Sequence, residues 1–118
     1  MNQQIPSAAM QPNEAGVPWR ALLADDHTMV REALSQMLER LDPALQMRQA
    51  KNVDEVLAIL REDAGFALLL LDYHMPGMNG VRTVEQMRRE FPQLPIGIIT
   101  GYVSSEEVEP LIAAGCIG

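Results

Sequence analysis

Cysteine is almost missing from this chain: Cys116 is the only one in 118 residues. A single thiol allows no internal disulfide and no multi-cysteine zinc site, a composition that suits a reducing, cytoplasmic setting. Positive charge is scarce as well, with 9 Lys and Arg against 16 Asp and Glu and a formal net charge of −7. A field of that sign repels phosphate backbones and anionic lipid, so direct binding of nucleic acid or a membrane by these residues is not expected. Apolar runs fall far short of the roughly 20 residues that span a bilayer. The opening MNQQIPSAAMQPNEAGVP has neither the basic nor the apolar region of a secretory signal; rich in Gln, Pro, Asn and Ser, it reads as a flexible leader over residues 1–18.

What is present fits one domain with one core, at 47% hydrophobic residues. From Trp19 the pattern changes. Ala21-Leu22-Leu23-Ala24 is a short apolar run ending at Asp25-Asp26, as a strand buried on both faces would. Val30, Ala33, Leu34, Met37, Leu38 and Leu41 recur at helical spacing until Asp42-Pro43 stops them. Leu45 to Ala50 alternates like a half-buried edge strand. Asn52 is placed to cap a second helix, with Glu55 at its third position and Val53, Val56, Leu57 and Leu60 as its apolar stripe.

Phe66 to Leu71 is continuously apolar and ends at Asp72, the mark of a central strand in a parallel sheet. Pro76, Gly77, Asn79 and Gly80 form a turn cluster, and Val81, Val84, Met87 and Phe91 carry a third helix to Pro92. Pro95 to Thr100 reads as a fourth strand. Ser104 and Glu107 give a capping-box signature for a fourth helix reaching Ala114, with Pro110 inside it as a kink or late start.

Strands alternating with helices predict an α/β fold, a doubly wound parallel sheet with right-handed crossovers. Such sheets bind ligands at the carboxyl ends of their strands. Three of the four strands end there in Asp25-Asp26, Asp72 and Thr100, so the polar residues converge. Three carboxylates at one edge repel one another unless a cation joins them, and a hard ion such as Mg²⁺ suits oxygen donors. An aspartate beside that ion can act as nucleophile towards a phosphoryl group, forming an acyl phosphate, with the Thr100 hydroxyl donating to a phosphoryl oxygen.

Taken in order, LLADDH, LLLLDYHMPGMNG and IIT resemble the receiver domain of two-component response regulators, a flavodoxin-like fold, from Trp19 to Gly118. ADDH with the MPGMNG loop is most similar to receivers that carry a C-terminal LuxR-type helix-turn-helix domain. The resemblance implies that Asp72 accepts phosphate from a sensor histidine kinase and that Thr100 is the switch hydroxyl. It implies that Asp26 contacts Mg²⁺ directly, Asp25 mainly through water, and the backbone carbonyl of His74 completes the protein ligands. It further implies self-association and a signalling role, not an enzymatic one beyond self-catalysed phosphotransfer and dephosphorylation. DNA would be reached only through an output domain outside this sequence.

The family also uses a lysine at the end of a fifth strand and an aromatic switch residue within it. Neither has a counterpart here, and the only lysine, Lys51, lies near the second helix. The expected receiver therefore covers residues 19–118 and ends after its fourth β-α unit. Its fourth strand is then an open edge, and a sheet face formed partly by Leu22, Leu68 and Leu70 or their neighbours loses its cover. A phosphorylation-independent, receiver-like dimerisation module is the alternative. A hydrolase of the haloacid dehalogenase type needs a second acid two residues after the nucleophile, where His74 stands.

Several residues have plainer readings. An aspartate at a strand end is, taken alone, a cap or turn residue, and it is the surrounding motif that singles out Asp72. His27 is expected to be a partly exposed residue opening the first helix, and the His74 imidazole not to act as a ligand. Met29, Met37, Met47, Met75, Met78 and Met87 read as packing. Tyr102 would flank the phosphorylation site, and Cys116 would pack as a small apolar group.

Overall fold

Short β-prone runs and longer periodic runs alternate along the chain, and from Trp19 to Ile99 each becomes the element that its periodicity specifies. A computed structural model describes residues 17–99 together with 106, 110 and 112–114. Its elements are β1 (Trp19–Ala24), α1 (Thr28–Leu41), β2 (Leu45–Ala50), α2 (Val53–Glu62), β3 (Phe66–Asp72), α3 (Val81–Glu90) and β4 (Ile96–Ile99). All strand pairs are parallel, in the order β2-β1-β3-β4. The apolar runs β1 and β3 are the two central strands, while β2, the most polar, lies at an edge, where one polar face can meet water.

Thr100, Gly101, Tyr102, Ser104, Glu107 and Cys116 lie outside the described residues, as do 1–16 of the leader. Of the expected fourth helix, Glu106, Pro110, Ile112 and Ala113 are described and helical, and the Ala114 N–H donates to the Pro110 carbonyl at 2.9 Å.

The core fills one face of the sheet. Leu22 and Ala24 of β1, Leu69 and Leu71 of β3 and Ile96 of β4 pack with Val53, Val56, Leu57, Ile59 and Leu60 of α2 and with Val84 and Met87 of α3. The second helix starts as expected: Asn52 Oδ1 accepts from the Glu55 N–H at 2.8 Å, and Glu55 Oε1 accepts in return from the Lys51 N–H at 2.9 Å. The reciprocal bond goes one residue earlier than in a standard capping box. Gly77 fits the third strand's loop against this helix. Its φ of +92° suits glycine, and a Cβ there would come within 2.8 Å of the Val53 Cβ.

Helix α1 lies on the opposite face, towards β2, where Arg31 Nε donates to Gln49 Oε1 at 2.8 Å and Glu39 Oε2 accepts from the Met47 N–H at 2.9 Å. Here the structure departs from two expectations. Leu22 belongs to the covered face and is fully buried; pleating instead puts Leu68 and Leu70, beside Ala21 and Leu23, on the α1 side, where both stay partly exposed. The apolar stripe of α1 is also wider than what the sheet takes up. Val30, Met37 and Leu41 are exposed, Leu41 at 76%, because α1 turns Arg31, Leu34, Ser35 and Leu38 inward. Met29, at 85% exposed, is not packing either.

At the far end of β1, Trp19 Nε1 donates to Asp42 Oδ2 at 2.8 Å and ties the strand to the end of α1. Arg20 pairs with Asp63 through both terminal guanidinium nitrogens and lies over the Phe66 ring, 4.6 Å from its centroid. The hydrogen bond from Arg20 holds the Asp63 carboxyl well below the ordinary carboxylate range.

Ser35 is the one residue of α1 that is buried, and its Oγ finds no hydrogen-bond partner among the described residues. Burying an unpaired hydroxyl costs more than an apolar group of similar size, and alanine is the better helix former. Ser35→Ala is therefore expected to raise the unfolding free energy by about 1 kcal/mol in denaturant titrations. A loss of stability would show that the hydroxyl has a partner that matters.

Candidate functional site

The last residues of the two central strands build the site. Ala24 pairs with Leu71, so Asp25 and Asp72, the next residue on each strand, emerge side by side at the carboxyl edge. Asp25 is 5% exposed and Asp72 7%, whereas Asp26, one step further out, is much more open. Each inner acid is held by its own loop: Asp25 Oδ1 accepts from the His27 N–H at 2.8 Å, and Asp72 Oδ1 from the His74 N–H at 3.1 Å. These are local turns of the kind aspartate favours. Arg31 braces the end of β1 by donating from Nη1 to the Asp25 carbonyl at 2.8 Å.

Burial, chiefly, pushes the Asp72 carboxyl above the ordinary aspartate range; the N–H of His74 opposes the shift and the negative charges of Asp25 and Asp26 add to it. The expected gathering of Asp25, Asp26 and Asp72 is thus found. His74 directs its N–H to Asp72 while its side chain is exposed, its ring meeting that of Tyr73 edge-on at 5.4 Å. Thr100 is outside the described residues, but β4 brings Ile99, its predecessor, opposite Asp72.

One residue was undervalued by the sequence. His27 does open α1 at the N-cap, 69% exposed, but its side chain caps nothing. The ring turns to the acids instead, with Nδ1 2.9 Å from Asp25 Oδ1, 3.3 Å from Asp26 Oδ1 and 4.0 Å from Asp72 Oδ2. The hydrogen bond with Asp25, first, and then the charges of Asp26 and Asp25 raise its pKa. Its place directly after two acids was the available signal. One ligand atom from each of Asp25, Asp26, His27 and Asp72 lies within 4.8 Å of all the others. Oxygen donors dominate this set, which fits a hard divalent cation such as Mg²⁺.

A model of the response regulator receiver domain family matches residues 21–118. The nitrate/nitrite response regulator protein NarP of Escherichia coli is 35% identical over 102 residues, which are 86% of this chain and 46% of NarP. The chain thus spans less than half the length of that relative. A LuxR-family two-component response regulator from Aurantimonas sp. SI85-9A1 superposes with a TM-score of 0.74 at 26% identity, over 84% of this chain and 70% of that one. The beryllofluoride-activated NtrC4 receiver domain dimer gives 0.73 at 27% identity, over 82% and 78%. Among the described residues no helix is long and apolar enough to cross a membrane.

Charges crowded at a buried strand edge should strain the metal-free protein. At pH 7 in the presence of a chelator, Asp72→Asn is expected to raise the thermal midpoint by roughly 3–8 °C, since it removes a desolvated charge facing two others. Saturating Mg²⁺ should shrink the difference. A variant that melts below the parent under chelation would contradict the repulsion.

Proposed function

This chain belongs to the response regulator receiver domain family, and on that footing we propose that it is the phosphoacceptor module of a two-component system, with Asp72 as acceptor and a sensor histidine kinase as donor. The observation that carries this reading is the Asp72 carboxylate itself, almost buried at the end of a central strand and facing Asp25 and Asp26. A carboxylate oxygen of Asp72 attacks the phosphorus of a phosphohistidine. The new P–O bond forms as the P–N bond breaks, and the departing imidazole takes up a proton.

The difficulty is charge, since an anionic nucleophile approaches an anionic phosphoryl group at an edge that already holds two further acids. Mg²⁺ would be held by Asp26 directly, by Asp25 mainly through water, by Asp72 and by the His74 carbonyl, and would supply charge neutralisation. The chain's own residues do the positioning. The His74 N–H fixes the rotamer of Asp72 by holding Oδ1, and the N–H of His27 fixes Asp25. Thr100, following Ile99 opposite Asp72, is assigned as the hydroxyl that meets a phosphoryl oxygen.

The output is assigned to a domain outside this sequence. NarP, named a response regulator, spans about twice the matched length, which leaves room for one. Self-association is the change proposed to accompany phosphorylation, by analogy with the activated NtrC4 receiver dimer.

Acetyl phosphate or phosphoramidate with Mg²⁺ is expected to add one phosphoryl group, seen by intact-protein mass spectrometry and placed on Asp72 by peptide mapping. Asp72→Asn should take up none, and light scattering should report association only in the phosphorylated parent. Equal modification of the variant would sink the assignment.

Calorimetric Mg²⁺ titrations should show a larger loss of affinity for Asp26→Ala than for Asp25→Ala, because a direct ligand is replaced less easily than one acting through water. Equal losses would contradict the division of roles.

A further inference from the structure

Imidazole nitrogen among carboxylate oxygens changes what a cation site accepts. Mg²⁺ is hard and keeps to oxygen, whereas Zn²⁺, Co²⁺ and Ni²⁺ are borderline ions that bind imidazole well. We propose that His27 is a nitrogen ligand that lets the acid cluster capture a borderline divalent ion in competition with Mg²⁺, so that transition-metal availability regulates the site. The proposal rests on the reading of Asp25, Asp26 and Asp72 as a divalent-cation site and adds His27 to it.

Geometry carries the argument. Ligand bonds of about 2.0–2.1 Å set at 90–110° put neighbouring donor atoms about 2.9–3.4 Å apart, and opposite donors about 4.1 Å apart. From His27 Nδ1 the separations to Asp25, Asp26 and Asp72 oxygens are 2.9, 3.3 and 4.0 Å. The His27 separations fall in that range, with the 2.9 Å contact now made as a hydrogen bond to Asp25, while the four-atom set as a whole, spread over 4.8 Å, has to close by some tenths of an ångström around an ion. The His27 separations are reached without a strained turn, because the His27 N–H is already anchored on Asp25 and the ring folds back over the same carboxylate.

The helix does not need this side chain. His27 occupies the N-cap of α1 without making a capping hydrogen bond, so its ring is free to serve the acids. Serine is a preferred N-cap and carries no imidazole, which makes His27→Ser a substitution that removes the nitrogen and suits the start of the helix. The other imidazole and thiol groups in the sequence are His74, whose side chain is exposed and is not among the clustered ligand atoms, and Cys116. Both can be removed in the background.

The experiment titrates the full chain, carrying His74→Asn and Cys116→Ser, with Zn²⁺ and with Mg²⁺ by calorimetry. NMR detection of the ¹⁵N-labelled His27 ring accompanies each titration. His27→Ser is expected to lose at least tenfold more affinity for Zn²⁺ than for Mg²⁺, and the Nδ1 resonance to move much further with Zn²⁺ than with Mg²⁺, which only disturbs its hydrogen bond with Asp25. Added Zn²⁺ should displace Mg²⁺ from the parent.

If Zn²⁺ binds both proteins alike, or Nδ1 does not respond, His27 is only a hydrogen-bond partner of Asp25 and the proposal is overturned. Parallel changes in Zn²⁺ and Mg²⁺ affinity overturn it too, since they mean a general effect on the acids. The underlying reading fails separately: Mg²⁺ binding that survives both Asp26→Ala and Asp72→Asn would remove the cation site itself.

Discussion

Because β1 and β3 run parallel with Ala24 beside Leu71, the residues that follow them leave the sheet at the same edge and side by side. Asp25 and Asp72 have no freedom to separate without breaking the central pairing. The electrostatic cost of that proximity is set by the backbone, and the loops partly offset it: each inner acid accepts an N–H from two residues on. Oδ1 of each is thereby held by its own loop, which fixes how each carboxylate is turned. The site is a consequence of register, and a slip of one residue in the parallel pairing would disperse it.

The two faces of the sheet are unequal. Helices α2 and α3 close one face over Leu22, Leu69, Leu71 and Ile96, all essentially excluded from solvent. On the other, α1 sits towards β2, and Leu68 and Leu70 retain partial exposure. Ala24 and Leu71, the residues just before the inner acids, belong to that packed face, which anchors the strand ends that carry them. The α1 face shows the looser features together: a buried Ser35 hydroxyl without a hydrogen-bond partner among the described residues and an apolar stripe through Val30, Met37 and Leu41 that meets solvent.

His27 links that helix to the acids. Its backbone starts α1, its N–H and ring both hold Asp25, and Arg31 one turn on clasps the Asp25 carbonyl. The first loop is therefore fastened to the site at several points before any cation is considered. A shift in α1 would be felt at Asp25, and a change of charge at Asp25 would be felt at the start of α1.

By itself the sequence determined whatever depends on neighbours along the chain. The continuous run into Asp72, the alternation from Leu45, the Asn52 cap and the stop at Asp42-Pro43 each appear where their local physics placed them, with ends shifted by a residue or two. The convergence of three acids was legible as well, because parallel strands joined by helices present the same end on the same side. Local pattern carries no information about which side of a wide apolar stripe a helix turns inward. It misplaced Leu22 for the same reason: the parity of a pleat fixes that Leu22 and Leu23 face opposite ways, but not which of those faces receives two helices. Only the tertiary structure decided these, and only it could aim the His27 ring. A side chain's rotamer is settled by the groups that distant strands bring within hydrogen-bonding reach, and Asp72 is 45 residues away from His27 in sequence.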